Sequence, residues 1–485
     1  MRLARRHRSP CAVGAGLLAA TGFAPLFWWP LALAALAVFF WLVRTAKTPK
    51  KAFKKGLLFG LGLYLGSLWW IGNAFWSHAP VPIVKPMAVP AVALLCAYLA
   101  LYPALVGWAW QKLFPRNAVA GAGLFAALWL GAEVLREVVL YGFPWNQFGY
   151  VFADNLWLMQ GAALGGVWGL TFLAALVAAL LAMPTPKLGV PLALSVVAGL
   201  YGYGHLRLSA AEPLAPLGTV RLVQANIGQA HKWDPALRAE QLLLQVRLSR
   251  PADEAGAPEA IDAVIWPETA AAFFLDYEPD FEPFLAVAAG QGVLITGMPR
   301  MARTPDGTHF YNSIGTLDGT GTVQDYADKT LLVPFGEFIP LRRFVPATVS
   351  KLTEGSQDFS PAQVPPRLSS GGLGTALPLI CYEAIFPAFV RRHAHGRDFL
   401  LNVTNDGWFS HTPGPAQHFA MARLRAVETG MSLVRVANTG ITAVVDGYGR
   451  VVNRLEAEQQ GVLDSPVLEQ LARPPLFRRA VTQGS

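Results

Sequence analysis

The stretch Leu377-Pro-Leu-Ile-Cys-Tyr-Glu383 decides how the second half of this chain is read. An apolar run suited to a buried strand ends on a cysteine, followed at once by an aromatic residue and a carboxylate. No cysteine other than Cys381 follows Cys96, so this half holds one thiol and no internal disulfide. A strand end is where a scaffold presents a nucleophile rigidly at the lip of a pocket. The competing reading is a small buried hydrophobe, the ordinary fate of a free cysteine.

Around that stretch, apolar runs bounded by turn residues predict further strands at Val220–Asn226, Ala263–Glu268, Gly292–Gly297, Phe399–Thr404 and Leu433–Ala437. Helical periodicity intervenes at Pro235–Ser249 and Gln417–Thr429. Strand–helix alternation from about residue 213 to 470 predicts one α/β domain, a layered sheet with helices on its faces. Residues 341–370, rich in Pro, Ser, Thr and Gln, read as a long irregular segment and a lid candidate.

The first half is a different material. The whole chain is 53% hydrophobic and 14% charged, too apolar for an ordinary soluble protein of 485 residues. Residues 1–206 carry 15 Lys/Arg against three acids, and the remainder carries 24 against 28. The basic excess therefore belongs to the apolar half, and nucleic-acid binding loses its main support. Seven candidate helical spans read at about 11–24, 25–43, 57–77, 88–110, 117–135, 157–183 and 188–206. The first two are short, join near Gly22–Pro25, and suit a hairpin as well as two full spans. A cleaved signal peptide competes for residues 1–24, but the apolar run continues to Val43 without a polar release.

Orientation follows from Lys/Arg placement. With the N-terminus inside, 13 basic residues lie on the cytoplasmic side, the densest cluster running from Arg44 to Lys55, against Lys85 and Arg136 on the other. Seven spans then put residue 207 onward outside the cytoplasm. One span end stands out, Gly131–Glu137 followed by Tyr141-Gly-Phe-Pro-Trp145. Its charges read either as ordinary interface residues or as a lateral mouth where Arg136 meets a lipid head group.

Two charged residues stand where a nucleophile at position 381 needs help. Glu268 closes a strand in Trp266-Pro-Glu-Thr269, and Pro267 stops the ladder before it. Lys329 precedes Thr-Leu-Leu-Val-Pro-Phe-Gly-Glu337. Each has a bland alternative as a surface charge. Yet a thiol of ordinary pKa, about 8.5, needs a base or a positive field to attack at neutral pH. A carboxylate can take its proton, and an ammonium can hold the thiolate and then an oxyanion. The nine histidines offer no equal strand-end candidate, and none has ligand spacing with a cysteine, so no metal is expected.

Trp266-Pro-Glu268, Lys329 before Leu-Leu-Val-Pro-Phe-Gly-Glu337, and Cys381-Tyr-Glu383 resemble the Glu-Lys-Cys motifs of the nitrilase, or carbon–nitrogen hydrolase, superfamily. A multi-span first half joined to such a domain resembles the apolipoprotein N-acyltransferase family, as do Gln224–Gln229 with Lys232-Trp233, Asn405–Phe409 and Asn438–Thr442. The resemblance covers nearly the whole chain. It implies an αββα sandwich on the periplasmic side of a multi-pass protein of the bacterial inner membrane. It also implies Glu268 as general base, Lys329 as oxyanion stabiliser and Cys381 as nucleophile, supported by Trp233, Glu337, Tyr382, Glu383, Asn405 and Trp408. The implied reaction moves a fatty acyl chain from a phospholipid, phosphatidylethanolamine by resemblance, to the α-amino group of a diacylglyceryl apolipoprotein. It needs no cofactor. The family usually carries a further transmembrane helix at its end, whereas residues 471–485 hold Arg473, Arg478 and Arg479 and no apolar run of spanning length.

Two other classes compete. A membrane-tethered amidase or nitrilase would share the three residues but hydrolyse a carbon–nitrogen bond and release its product to water; the large lipid-embedded half argues against it. A transporter or lipid scaffold would be expected to carry charges along its spans, which here are nearly free of them.

Overall fold

The structure is a computed structural model, and it describes residues 8–78, 82–113, 117–250, 260–305, 307–344 and 357–479. The chain divides into two compact units between Ala211 and Glu212, with Ala416–Leu424 counted to the first.

The first unit is helical. Its helices are α1 (Arg8–Ala20), α2 (Trp29–Arg44), α3 (Pro49–Leu68), α4 (Asn73–His78), α5 (Ala88–Leu113), α6 (Ala118–Val138), α7 (Ala162–Leu181) and α8 (Pro186–Ser209). Among the described residues, five helical stretches are long and apolar enough to cross a membrane: Pro49–Trp76, Lys85–Leu113, Ala118–Tyr141, Leu158–Leu181 and Pro186–Ser209. The two expected at the start are shorter, and α1 and α2 pair as the hairpin alternative has it.

Close backbone approach holds this bundle together, as befits helices whose apolar surface gains nothing by leaving lipid. A Cβ on Gly16 of α1 would fall 2.1 Å from the Phe59 oxygen of α3. One on Gly56 of α3 would fall 2.2 Å from the Pro103 oxygen of α5. Outward positions such as Leu94, Leu101 and Leu194 stay exposed, and Trp69, Trp76 and Tyr141 stand exposed near span ends.

The charged span end is neither a wetted interface nor a head-group clamp. Arg136 is 1% exposed. Its guanidinium pairs with Glu133 one turn back and donates to the Phe143 and Trp145 oxygens at 2.8 and 2.7 Å. Glu137 accepts from Trp168 Nε1 at 3.0 Å. A buried charge needs a partner, and Arg136 has its ion pair with Glu133; Arg136 holds the irregular segment after α6 in place, which corrects the lateral-mouth reading.

The second unit holds two six-stranded sheets. The first has strands β1 (Pro216–Gln224), β2 (Ala263–Ile265), β3 (Val293–Thr304), β4 (Gly307–Leu317), β5 (Val323–Asp328) and β12 (Gly461–Leu468), in the order β12-β1-β2-β3-β4-β5. The second has β6 (Leu368–Ser369), β7 (Thr375–Ile380), β8 (Phe399–Thr404), β9 (Leu433–Ala437), β10 (Thr442–Val445) and β11 (Val451–Leu455), in the order β11-β10-β9-β8-β7-β6. Strands β1–β2–β3 and β7–β8–β9 run parallel. The helices that follow in the chain are α9 (Arg238–Ser249), α10 (Glu282–Ala289), α11 (Pro387–His393), α12 (Gly414–Thr429), of which Ala416–Leu424 is counted to the first unit, and α13 (Leu476–Arg479).

The period of two along each strand sorts side chains between two cores. Leu222, Ile265 and Ile295 pack inward with Ile380, Leu401, Val403 and Val434 of the other sheet. Their neighbours Val223, Val264 and Leu294 pack on the opposite face against Leu242 and Val246 of α9 and Leu285 of α10. Each such side chain taken out of water contributes about 1.5–3 kcal/mol. This is the layered α/β domain expected, with β8 and β9 at their expected bounds. Strands β4, β5, β6, β10, β11 and β12 lie beyond the six expected. Of the lid candidate 341–370, residues 345–356 lie outside the described residues, and the described part holds the 3-10 turn Arg342–Phe344 and β6. The tail is described to residue 479 and holds only the short α13, with Phe477 buried.

Candidate active site

Three parallel strands end at one place. Glu268 follows β2, Cys381 follows β7, and Asn405 follows β8; Lys329 comes directly after β5. Pro267 lacks the N–H to continue the ladder, so the chain turns out at Glu268. Thr269 takes φ +47°, and the Glu268–Thr269 backbone lies against Gly297 of β3. A Cβ on Gly297 would fall 2.4 Å from Thr269 N and 2.6 Å from Glu268 Cα, so this approach requires glycine.

Glu268 is buried, with both carboxylate oxygens engaged. Oε1 accepts from Asn312 Nδ2 at 2.8 Å and lies 3.7 Å from Lys329 Nζ. Oε2 accepts the main-chain N–H of Asn405 at 2.9 Å. Lys329, 1% exposed, donates to Glu337 Oε1 at 2.9 Å. Glu337 also accepts from Asn312 Nδ2 at 3.0 Å and from the Val333 N–H at 2.8 Å. The ammonium thus stands between two carboxylates that share one asparagine amide. Burial alone would push the Lys329 pKa down, but Glu337 and then Glu268 reverse this and hold it above the ordinary lysine value. It stays charged through the physiological range.

Cys381 opens a 3-10 turn, Cys381–Ile385, with φ +51°, a strained conformation for a residue with a Cβ. Burial, then the charge of Glu268, pushes its thiol above the ordinary cysteine range, while Lys329 and a hydrogen bond with Thr404 pull the other way. At rest Cys381 is a thiol, a form that needs a base before it can attack.

Glu383 fastens two of these pieces together. Its Oε1 accepts the N–H groups of Thr330 and Leu331 at 2.6 and 2.9 Å, and its Oε2 that of Ile380 at 2.7 Å. The segment after Lys329 is therefore tied to the strand end that carries Cys381. Burial lifts the Glu383 carboxyl to about 7, against the pull of those three N–H groups.

Asn405 carries a second tier of support. Its Nδ2 donates to Gln229 Oε1 at 2.6 Å, and its Oδ1 accepts from Asn438 Nδ2 at 3.2 Å. Asn438 in turn exchanges bonds with the main chain of Ile227. Three stretches far apart in sequence, 224–229, 405–409 and 438–442, are brought to one network around Glu268. Among the remaining expected residues, Tyr382 is buried and packs edge-to-face on Phe386 at 5.0 Å, while Trp233 and Trp408 are half-buried.

This geometry can take a proton from a thiol and hold negative charge beside an ammonium in a dry, rigid site. Two family models match the chain: the apolipoprotein N-acyltransferase N-terminal domain over residues 15–180, and carbon–nitrogen hydrolase over residues 219–472. A protein of Allorhizobium ampelinum named apolipoprotein N-acyltransferase is 36% identical over 480 residues, covering 95% of this chain and 90% of its own. The chain belongs to the apolipoprotein N-acyltransferase family. Proteins of the same name from Geobacter metallireducens and Sinorhizobium fredii are 36% and 38% identical, covering 92% and 93% of this chain and 85% and 88% of theirs. Among solved structures, a mutant of an amidase of the nitrilase superfamily from Nesterenkonia AN1 aligns at a TM-score of 0.39 with 20% identity, over 55% of this chain and 95% of that one.

Within this family member, the structure adds two site residues to those expected from sequence. Asn312 bridges both carboxylates from the middle of β4. It left no sequence signal, because a lone polar residue in a Gly- and Thr-interrupted run looks like a loop. Lys232 donates its Nζ to the main-chain oxygen of Glu268 at 2.8 Å. It stands beside the expected Trp233, in the Lys232-Trp233 pair that the sequence resemblance already included.

Proposed function

We propose that this protein transfers a fatty acyl chain from a phospholipid to the α-amino group of an N-terminal S-diacylglyceryl-cysteine, through a thioester on Cys381. The observation that carries the reading is the buried Glu268–Lys329–Glu337 cluster acting on Cys381, in a chain of this family with an apolar helical unit. Glu268 takes the thiol proton as Sγ attacks the ester carbonyl. Lys329 and the N–H following the nucleophile stabilise the tetrahedral oxyanion. Glu268 returns the proton to the departing lysophospholipid oxygen. The acceptor amine then attacks the thioester, Glu268 removes its proton, and an amide forms. The lysophospholipid leaves before the acceptor reacts, which is a ping-pong order.

Phosphatidylethanolamine is the donor in this reading, and the site is the periplasmic face of the inner membrane. The Lys/Arg excess around Arg44–Lys55 supports that orientation. Incubating the purified protein with acyl-labelled phosphatidylethanolamine and a diacylated lipopeptide tests the function. Label is expected in an amide on the lipopeptide, with one lysophospholipid released per amide. Label released as free fatty acid, with the lipopeptide unmodified, would make the protein a hydrolase instead.

A further inference from the structure

Lys232 is 5% exposed, in the turn after the 3-10 segment Gln229–His231. Among the described residues its ammonium has one hydrogen-bond acceptor, the neutral main-chain oxygen of Glu268, and no carboxylate at ion-pair distance. A buried ammonium without a carboxylate is costly, and folds rarely keep one without a use. Its hydrogen bond places it against the Glu268 backbone, and Glu268 and Cys381 both act on its charge, so the thiol lies within its electrostatic reach.

Lys329 leaves a gap that Lys232 fits. Two carboxylates face the Lys329 ammonium, so the Glu268–Lys329–Glu337 cluster is negative as a whole. When the Cys381 proton passes to Glu268, the cluster becomes neutral and the full negative charge sits on Sγ. A second cation is what would balance it.

We propose that Lys232 is a positioning residue for the acyl transfer, its ammonium stabilising the negative charge that forms on Cys381 Sγ while its hydrogen bond holds the backbone of Glu268. Lys232 stays protonated throughout; the proton moves only from Sγ to the Glu268 carboxylate and on to the leaving oxygen. Burial draws the Lys232 pKa down to about 8, against the opposing pull of Glu268 and Cys381, which still leaves it mostly cationic at neutral pH. The proposal rests on the reading of Cys381 as the acyl-accepting nucleophile.

The test uses the full chain in detergent and two readouts. One is acyl-enzyme formation from phosphatidylethanolamine; the other is alkylation of Cys381 by iodoacetamide across pH, followed on its peptide by mass. Besides Lys232, the charges acting on that thiol are Glu268, Lys329 and Asp406, and all three stay unchanged. Lys232→Gln keeps an N–H donor and removes the charge, Lys232→Met removes both, and Lys232→Arg keeps the charge. The Gln and Met variants are expected to form acyl-enzyme about 10²-fold more slowly. Their alkylation profiles should move to higher pH by about one unit. Arg should restore most of both. A Gln variant with the wild-type rate and profile overturns the proposal. So does slow acylation with an unmoved alkylation profile, the result a purely structural tie to Glu268 would give. If the Met variant does not fold, the Gln and Arg pair makes the same comparison. Alkylation needs no lipid, so a moved profile in a protein that forms no acyl-enzyme would count against the acyl-transfer reading alone.

Discussion

Cys381→Ala should form no amide above background, a loss of about 10⁴-fold or more, because removing a nucleophile removes the covalent route whole. The fold should survive. Cys381 sits partly exposed at the margin of the inter-sheet core, so losing its sulfur costs about 1 kcal/mol or less of packing. Alanine meets the same φ of +51° that cysteine already tolerates. The Glu383 ties to Ile380, Thr330 and Leu331 do not involve the thiol. Thermal unfolding of the variant should therefore lie close to that of the parent, while a quantitative assay of lipopeptide amide falls to the level without enzyme. Amide formation at an undiminished rate would return Cys381 to the class of small buried residues.

Glu268→Gln separates thiol acidity from catalysis. The carboxylate raises the Cys381 pKa by its charge, so removing that charge should move alkylation of the thiol toward lower pH. Acyl transfer should nonetheless fall by about 10²–10⁴-fold, since the amide cannot accept the proton. Some of the loss is positional. Asn312 Nδ2 and the Asn405 N–H each donate to a different oxygen of Glu268, and the amide offers only one oxygen. A thiol that alkylates more readily yet acylates more slowly is a combination that simple distortion of the site does not give. A Glu268→Gln enzyme with wild-type transfer would remove Glu268 from the mechanism.

What could be read from sequence, and what could not, follows from where each residue's signal lies. Strands β8 and β9 were legible to the residue because both are buried along their whole length and stay mainly apolar, Asn402, Thr404 and Arg435 being their polar residues. Glu268 and Cys381 were legible because each sits where such a run stops. β4 was not, since Asn312, Ser313 and Thr316 are buried polar groups in the middle of a strand, and inward polar residues erase the alternation that identifies one. The residue that joins Glu268 to Glu337 is thus the kind that hides its own strand. Arg136 misled for a related reason. An arginine near a span end looks the same in sequence whether it snorkels or pairs inward, and only the i,i+3 spacing to Glu133 hinted at the ion pair. Lys232 stood in a motif the resemblance included, but its burial and its carbonyl partner, 36 residues on, leave no trace in the sequence.

The most direct test of a covalent acyl carrier on Cys381 is the intact mass of the protein after incubation with phosphatidylethanolamine and no acceptor. A species heavier by one acyl chain should accumulate, map to the Cys381 peptide, disappear under neutral hydroxylamine, and convert to amide when lipopeptide is added. An enzyme that makes amide at full rate yet never carries that mass, even in rapidly quenched single turnovers, would contradict the account.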